Sequence, residues 1–263
     1  MSRRLTDKVV IITGASSGIG AGIAVEFAKE GSKVVLVGRN VENLEKTSKL
    51  CQDQGLEKQK ILTVKTDVTD EEQLARLVDA TVKQFGGIDV LVNNAGAVNT
   101  GGIQDVELKQ LDEMLNIHVR AVFQLTKLAI PYLVENRGSI VNVSSLQALS
   151  PGTMEFVDVT YSVAKAGLDM LTKCTALELA KKKVRCNSVN PGVVPSGLLT
   201  KSGEFTEEEV KGFYESQVSA HPLGKLGTTE DVAKAVTFLA SEDSGFITGA
   251  ILPIDGGRNL PIP

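Results

Sequence analysis

Val9-Val10-Ile11-Ile12-Thr13-Gly14-Ala15-Ser16-Ser17-Gly18-Ile19-Gly20 is the stretch from which this 263-residue chain is best read. Four apolar, mostly β-branched residues lead it, as a strand buried on both faces requires. Gly14, Gly18 and Gly20 then fall within seven residues, and Ile23, Ala24, Phe27 and Ala28 continue as one face of a helix. Strand, glycine turn and helix together make an anion site. The turn frees backbone N–H groups, and the helix N-terminus adds partial positive charge. Glycine is needed where a side chain would block an approaching pyrophosphate. The spacing is Gly-x3-Gly-x-Gly rather than the general G-x-G-x-x-G fingerprint, so the motif alone also fits an ordinary glycine-rich turn.

Working outward, the bulk numbers bound the function. A hydrophobic fraction of 42% suffices for a substantial core, and the length suits one α/β domain or two small ones. A net charge of −4 does not suggest a nucleic-acid partner. The basic run Lys181-Lys182-Lys183 ends a helical pattern, where cations complement the helix dipole. Cys51, Cys174 and Cys186 are widely spaced and odd in number, which suggests reduced thiols that mostly pack. With His118 and His221 they make no credible zinc site, so no metal is expected. Met1 to Lys8 lacks the apolar run of a signal peptide, and no stretch is long enough to span a membrane. A cytoplasmic location is the expectation.

Apolar strands alternate with helical patterns along the chain. Strands are expected at Lys33–Val37, Ile61–Val64, Ile88–Val92, Ser139–Val143, Val184–Val189 and Ile251–Ile254. Between them lie helices at Val41–Gln54, Glu71–Phe85, about Asp105–Val134, Tyr161 to about Lys183, and Glu230–Leu239. Residues from about 193 to 220 read as a substrate lid without strong periodicity. The pattern has no repeat and no linker. It predicts a single α/β domain spanning residues 1–263, a Rossmann-type, doubly wound parallel sheet with ligands at the C-terminal strand ends. Gly38-Arg39-Asn40 follows the second strand, near the adenosine ribose in such a fold. An acid there accepts the 2′-hydroxyl of NAD, and an arginine pairs with the 2′-phosphate of NADP. Glycine at the acid's place and Arg39 after it favour NADP(H), although Ser17 supplies no second cation and NAD(H) remains possible. Asp67 can accept from the adenine amino group with Val68 against the ring, while Thr69 or Asp70 caps the following helix.

Thr13 to Gly20, Asn93-Asn94-Ala95-Gly96, Tyr161-x3-Lys165, Pro191-Gly192 and Asp255-Gly256-Gly257 occur in one order over residues 7–257. That succession resembles the classical short-chain dehydrogenases/reductases. The resemblance implies a nicotinamide cofactor, carbonyl–alcohol chemistry on a small molecule, and a homotetramer or homodimer built on the two long helices. By the same resemblance Tyr161 is the catalytic acid/base, Lys165 its partner, and Ser145 the serine that orients substrate, with Ser144 as the alternative. Nucleotide contacts are implied at Gly14, Ser16, Ser17, Gly18, Ile19 and Gly20, at Arg39, Asn40, Asp67 and Val68, at Asn94, Ala95 and Gly96, at Tyr161 and Lys165, and at Pro191, Gly192, Val194 and Ser196. Independently, Tyr161 and Lys165 share a helical face, and a nearby ammonium lowers a phenol's pKa.

Three departures from the family pattern stand out. His118 takes the place of an asparagine that kinks the helix and holds a relay water. It reads either as a working substitute that alters the pH profile or as a packed residue whose backbone does the work. Fifteen residues separate Ser145 from Tyr161, giving an enlarged loop that carries Pro151, Met154, Phe156 and Val157. Ser196 stands where a threonine is usual. Gln147, Met154, Phe156, Leu198 and Leu199 join Ser145 and Tyr161 as candidate substrate contacts, with Phe205, Phe213 and Tyr214 in the lid. The leading expectation is an NADP(H)-preferring reductase of ketones or aldehydes, acting on an apolar steroid- or terpenoid-like compound. Small dicarbonyls and 3-oxoacyl substrates are alternatives, as is a non-catalytic NADPH-binding sensor or scaffold.

Overall fold

A computed structural model describes residues 4–151, 158–202 and 206–260. Met154, Phe156, Val157 and Phe205 therefore lie outside the described residues. Among the described residues one seven-stranded parallel sheet forms, in the order β3-β2-β1-β4-β5-β6-β7. Its strands are β1 (Val9–Thr13), β2 (Lys33–Gly38), β3 (Ile61–Lys65), β4 (Val90–Asn93), β5 (Ser139–Val143), β6 (Arg185–Pro191) and β7 (Ile251–Ile254). The helices are α1 (Gly18–Lys29), α2 (Val41–Asp53), α3 (Glu71–Phe85), α4 (Leu108–Leu115), α5 (Ala121–Asn136), α6 (Val159–Leu179), α7 (Leu198–Ser202), α8 (Glu207–Gln217) and α9 (Thr229–Ala240).

All five residues of β1 are buried, because helices cover both faces of the sheet. Alternation sends Val10 and Ile12 into one core with Ile23 and Phe27 of α1, Leu44 of α2 and Val236 of α9. Ile11 faces the other core, with Leu74 and Leu77 of α3 and Leu125 and Leu133 of α5. Truncating a fully buried Phe27 to alanine costs about 3–5 kcal/mol of stability. The centre of the sheet is pinned by register, Ile11 lying opposite Val35 on one side and Leu91 on the other. That places the reversal of strand order between β1 and β4, where such sheets bind ligands.

Element boundaries moved for physical reasons. β4 begins two residues late because Asp89 is used as an anchor. Its carboxylate accepts from Val9 N (2.9 Å) and Lys8 Nζ (2.9 Å). The long helix after β4 is broken into α4, a π-helical turn over Asn116–Arg120, and α5. The lid is more ordered than its pattern predicts: it holds α7 and α8, and α8 starts in a capping box, with Thr206 N donating to Glu209 Oε2 (2.8 Å) and Glu209 N to Thr206 Oγ1 (3.3 Å). Gly22, unassigned in the sequence, lets α1 approach α9, since a Cβ there would lie 2.9 Å from Thr229 Cβ.

Candidate active site

Two cavities meet at the C-terminal ends of the strands. The smaller, of about 270 Å³, gathers Gly14, Ser16, Ser17, Gly18, Ile19 and Gly20 with Arg39, Asp67, Val68, Asn94, Ala95, Gly96, Tyr161, Lys165 and Ser196. The glycine turn is built as the sequence suggests. Gly14 and Gly18 take φ of 68° and 56°, in the left-handed region. A Cβ on Gly20 would lie 2.2 Å from Gly14 O, and one on Gly18 would lie 2.5 Å from Ser196 O. The second contact ties the phosphate turn to the base of the lid. The asparagines after β4 brace the same turn: Asn94 Nδ2 donates to Thr13 O (2.9 Å), and Asn94 N and Ala95 N both donate to Thr13 Oγ1 (2.9 and 3.0 Å). Asn93 Nδ2 ties β4 to β5 through Asn142 Oδ1 (2.9 Å).

Some expected nucleotide contacts sit elsewhere. Asn40 does not line this cavity, because its side chain caps α2 by accepting from Asn43 N at 2.9 Å. Pro191, Gly192 and Val194 line the larger neighbouring cavity instead, because β6 ends there. Asp70 caps α3, and Asp67 turns back on Thr69, accepting from its N–H (3.0 Å) and hydroxyl (2.7 Å). Arg39 Nη1 lies 3.9 Å from Asp67 Oδ2, and Arg39 is largely exposed. Thr66 escaped the sequence reading: it lines the nucleotide cavity and its buried hydroxyl has no partner.

The larger cavity, about 720 Å³, is walled by Leu146, Val193, Val194, Leu198, Leu199, Phe213 and Tyr214, with Ser145, Gln147 and Tyr161 at one side. Tyr161 borders both cavities. Ser145 and Tyr161 line the same cavity, and the Ser145 hydroxyl acts on the Tyr161 phenol. Ser144 is turned away, donating instead to Lys165 O (3.2 Å), which separates the two candidate serines. Lys165 is 4% exposed, and its Nζ donates to Val143 O (2.9 Å) and lies 5.5 Å from the Tyr161 ring. Burial pushes the Tyr161 phenol up to about 12; the Ser145 hydroxyl opposes that rise and the Asp158 carboxylate adds to it. The lowered phenol expected from Lys165 is thus not found in the protein by itself. Burial also brings Lys165 down to about 7, with Asp169 opposing, so the cation is weakened too.

His118 sits inside the π turn, 1% exposed. Its Nε2–H donates to Ala97 O (2.8 Å), leaving Nδ1 buried and unpartnered. The ring stands edge-on to Tyr161, with centroids 5.3 Å apart. Desolvation, helped by the nearby Lys165, holds its pKa well below the usual 6.5. The imidazole is therefore neutral at pH 7, which corrects the expectation of a group titrating near neutrality. The side chain also does more than pack, since it holds the loop after β4.

A family model described as enoyl-(acyl carrier protein) reductase matches residues 14–259. The chain is a classical short-chain dehydrogenase/reductase. As such it is an oxidoreductase acting on CH–OH groups, which removes the non-catalytic alternative. It is 37% identical over 257 residues to the Thermotoga maritima 3-oxoacyl-[acyl-carrier-protein] reductase FabG, covering 97% of this chain and 98% of that one. A Caenorhabditis elegans short-chain dehydrogenase/reductase of unknown function, solved with cofactor, superposes with a TM-score of 0.92 at 38% identity, covering 98% and 97% of the two chains. L-Sorbose reductase from Gluconobacter frateurii, complexed with NADPH and L-sorbose, matches with a TM-score of 0.89 at 31% identity over the whole of both chains.

The residues fit the family's nicotinamide nucleotide. A Cβ would fill the glycine turn, and Thr66, whose buried hydroxyl has no partner, lines the cavity. No helix among the described residues is long and apolar enough to cross a membrane, and no group of three or more metal-ligating side chains occurs among them.

Proposed function

We propose that this reductase prefers NADP(H) and interconverts a ketone or aldehyde with its alcohol on a substrate of mainly apolar body. The observation that carries the cofactor preference is Arg39. It lines the nucleotide cavity beside Gly38, where an acid would otherwise select NAD. Its loose 3.9 Å approach to Asp67 leaves the guanidinium free to turn to a phosphate. The apolar walls of the larger cavity support the substrate reading. Relatives named for a 3-oxoacyl thioester and for L-sorbose show how widely the family's substrates range, so the cavity itself is the better guide.

The bound nicotinamide nucleotide supplies the hydride in reduction and accepts it in oxidation. Ser145 and Tyr161 hold the substrate oxygen from the larger cavity, and Tyr161, kept protonated by burial, donates to that oxygen in the reductive direction. Lys165, anchored to Val143 O at the rim of the nucleotide cavity, offers its remaining donors to the nucleotide. His118 is a positioning residue: through Ala97 O it fixes the loop that carries Asn94, Ala95 and Gly96. The resemblance further supports a homo-oligomer built on α5 and α6.

Fluorescence titration with NADPH and NADH tests the cofactor assignment, followed by a carbonyl panel with the preferred nucleotide. NADPH is expected to bind at least about tenfold more tightly, with the preference lost or reversed in Arg39→Asp. Equal affinities in the unsubstituted protein would overturn the NADP(H) assignment while leaving the reaction class intact.

A further inference from the structure

Among the described residues lining the larger cavity, Arg258 is the sole cation. It follows the Asp255-Gly256-Gly257 turn after β7, on the side of the cavity where the chain passes Pro191 and Gly192. Its Nη1 is buried and has no hydrogen-bond partner. The carboxylate that acts on it electrostatically, Asp255, is committed to its own turn, accepting from Gly257 N (3.1 Å) and Asn259 N (2.9 Å). The two carboxylates on the wall, Glu209 and Asp158, are engaged as well. Glu209 caps α8 through Thr206 (2.8 Å), and Asp158 accepts from Gln147 Nε2 (3.1 Å). Burial lowers the Arg258 pKa from its usual value, yet the guanidinium stays charged at pH 7. The cavity wall therefore carries a half-buried guanidinium whose Nη1 has no hydrogen-bond partner. Such a group is costly until an incoming acceptor completes it.

We propose that Arg258 is the recognition point for a carboxylate carried by the substrate, which is then an oxo- or hydroxy-acid of apolar body, its reacting carbon at Tyr161 and its acid group at Arg258. A monoanion suits the site better than a phosphate ester. One guanidinium, sharing the wall with Asp158 and Glu209, can balance a single negative charge in planar, bidentate fashion but has no second cation for a dianion. Leu146, Val193, Leu198 and Leu199 give the same cavity aliphatic wall for the body. The placement of the reacting carbon rests on the oxidoreductase reading above; the carboxylate site does not.

Calorimetric titration of decanoate and of decanamide into protein saturated with NADP+ tests the inference without turnover. Decanoate is expected to bind about tenfold or more tightly than its neutral amide. Arg258→Met is expected to bring the two within about twofold, and Arg258→Lys to keep part of the difference. Retained NADP+ binding certifies the fold of each variant, and Arg258→Gln replaces Arg258→Met if the latter loses it. Equal affinities in the unsubstituted protein, or a carboxylate advantage that survives Arg258→Met, would overturn the site. Turnover of neutral ketones without any carboxylate advantage overturns this inference and leaves the proposed activity standing. A carboxylate advantage in a protein that reduces no carbonyl does the reverse.

Discussion

Lys165 shows how burial and charge compete at a single side chain. It is enclosed by α6 and β5, with its ammonium donating to a backbone carbonyl and Asp169 acting on it from one turn along the helix. Burial brings its pKa from 10.5 to about 7. Between those values the unfolded chain binds more protons at this residue than the folded one, so stability rises with pH across that window. The burden is fully present below pH 7 and is relieved as pH climbs toward 10.5. We expect Lys165→Met to stabilise the nucleotide-free protein by about 2–5 kcal/mol at pH 6 and by progressively less at higher pH. Chemical denaturation of both proteins across that range measures it, and a difference that stays constant with pH would contradict the assignment. That Tyr161 and Lys165 share a helical face was readable from their spacing, while the roles proposed for them came from the family resemblance. Their charge states were not, because both depend on enclosure by β5 and the loops, which spacing does not report.

At the scale of elements, the π turn between α4 and α5 and the loop after β4 form one unit. The Ala121 N–H reaches back to Asn116 O, a five-residue step that turns His118 toward the loop. His118 then meets Ala97 O and passes directly over Gly96. A Cβ on Gly96 would stand 2.5 Å from His118 Cε1 and 3.3 Å from Nδ1. Gly96→Ala is expected to displace the ring, break its bond to Ala97 and cost about 1–3 kcal/mol of stability, together with a loss of NADPH affinity. Urea unfolding and cofactor titration check both; unchanged values in both would mean that the loop yields freely. The sequence carried the glycine and the histidine as separate oddities, one in a motif and one breaking a family pattern. Only the fold brings them into contact across the long separation between Gly96 and His118. The helices of the lid were missed for a different reason. α7 has only five residues, and the clearest marker of α8 is the capping box at Thr206 and Glu209 rather than an apolar period.

For the whole molecule, the outer faces of the two long helices are the informative surface. Val163, Met170 and Leu177 recur every seven residues along α6 and are 50%, 58% and 82% exposed, and Phe123 on α5 is 55% exposed. The homo-oligomer proposed above would cover this apolar stripe with a second copy of the same helices. If α5 and α6 pair as proposed, Met170→Glu is expected to give a smaller species in sedimentation than the unsubstituted protein while NADPH binding persists. A monomeric unsubstituted protein would contradict the homo-oligomer reading.

The fold class and most of the nucleotide cavity followed from local chemistry. A doubly covered parallel strand must be continuously apolar, as Val9 to Ile12 are, and a phosphate turn must carry glycine where a Cβ would collide, as at Gly14, Gly18 and Gly20. Each requirement is met within a few residues of chain, so it is written in the order of the residues. Long-range packing settled the rest. Burial makes His118 neutral and Tyr161 a firmly protonated phenol, the close approach of Gly18 to Ser196 couples turn to lid, and the turn after β7 delivers Arg258 to a cavity whose other walls come from distant segments. Desolvation and shape are properties of what surrounds a side chain, and the surroundings exist only once the chain has folded.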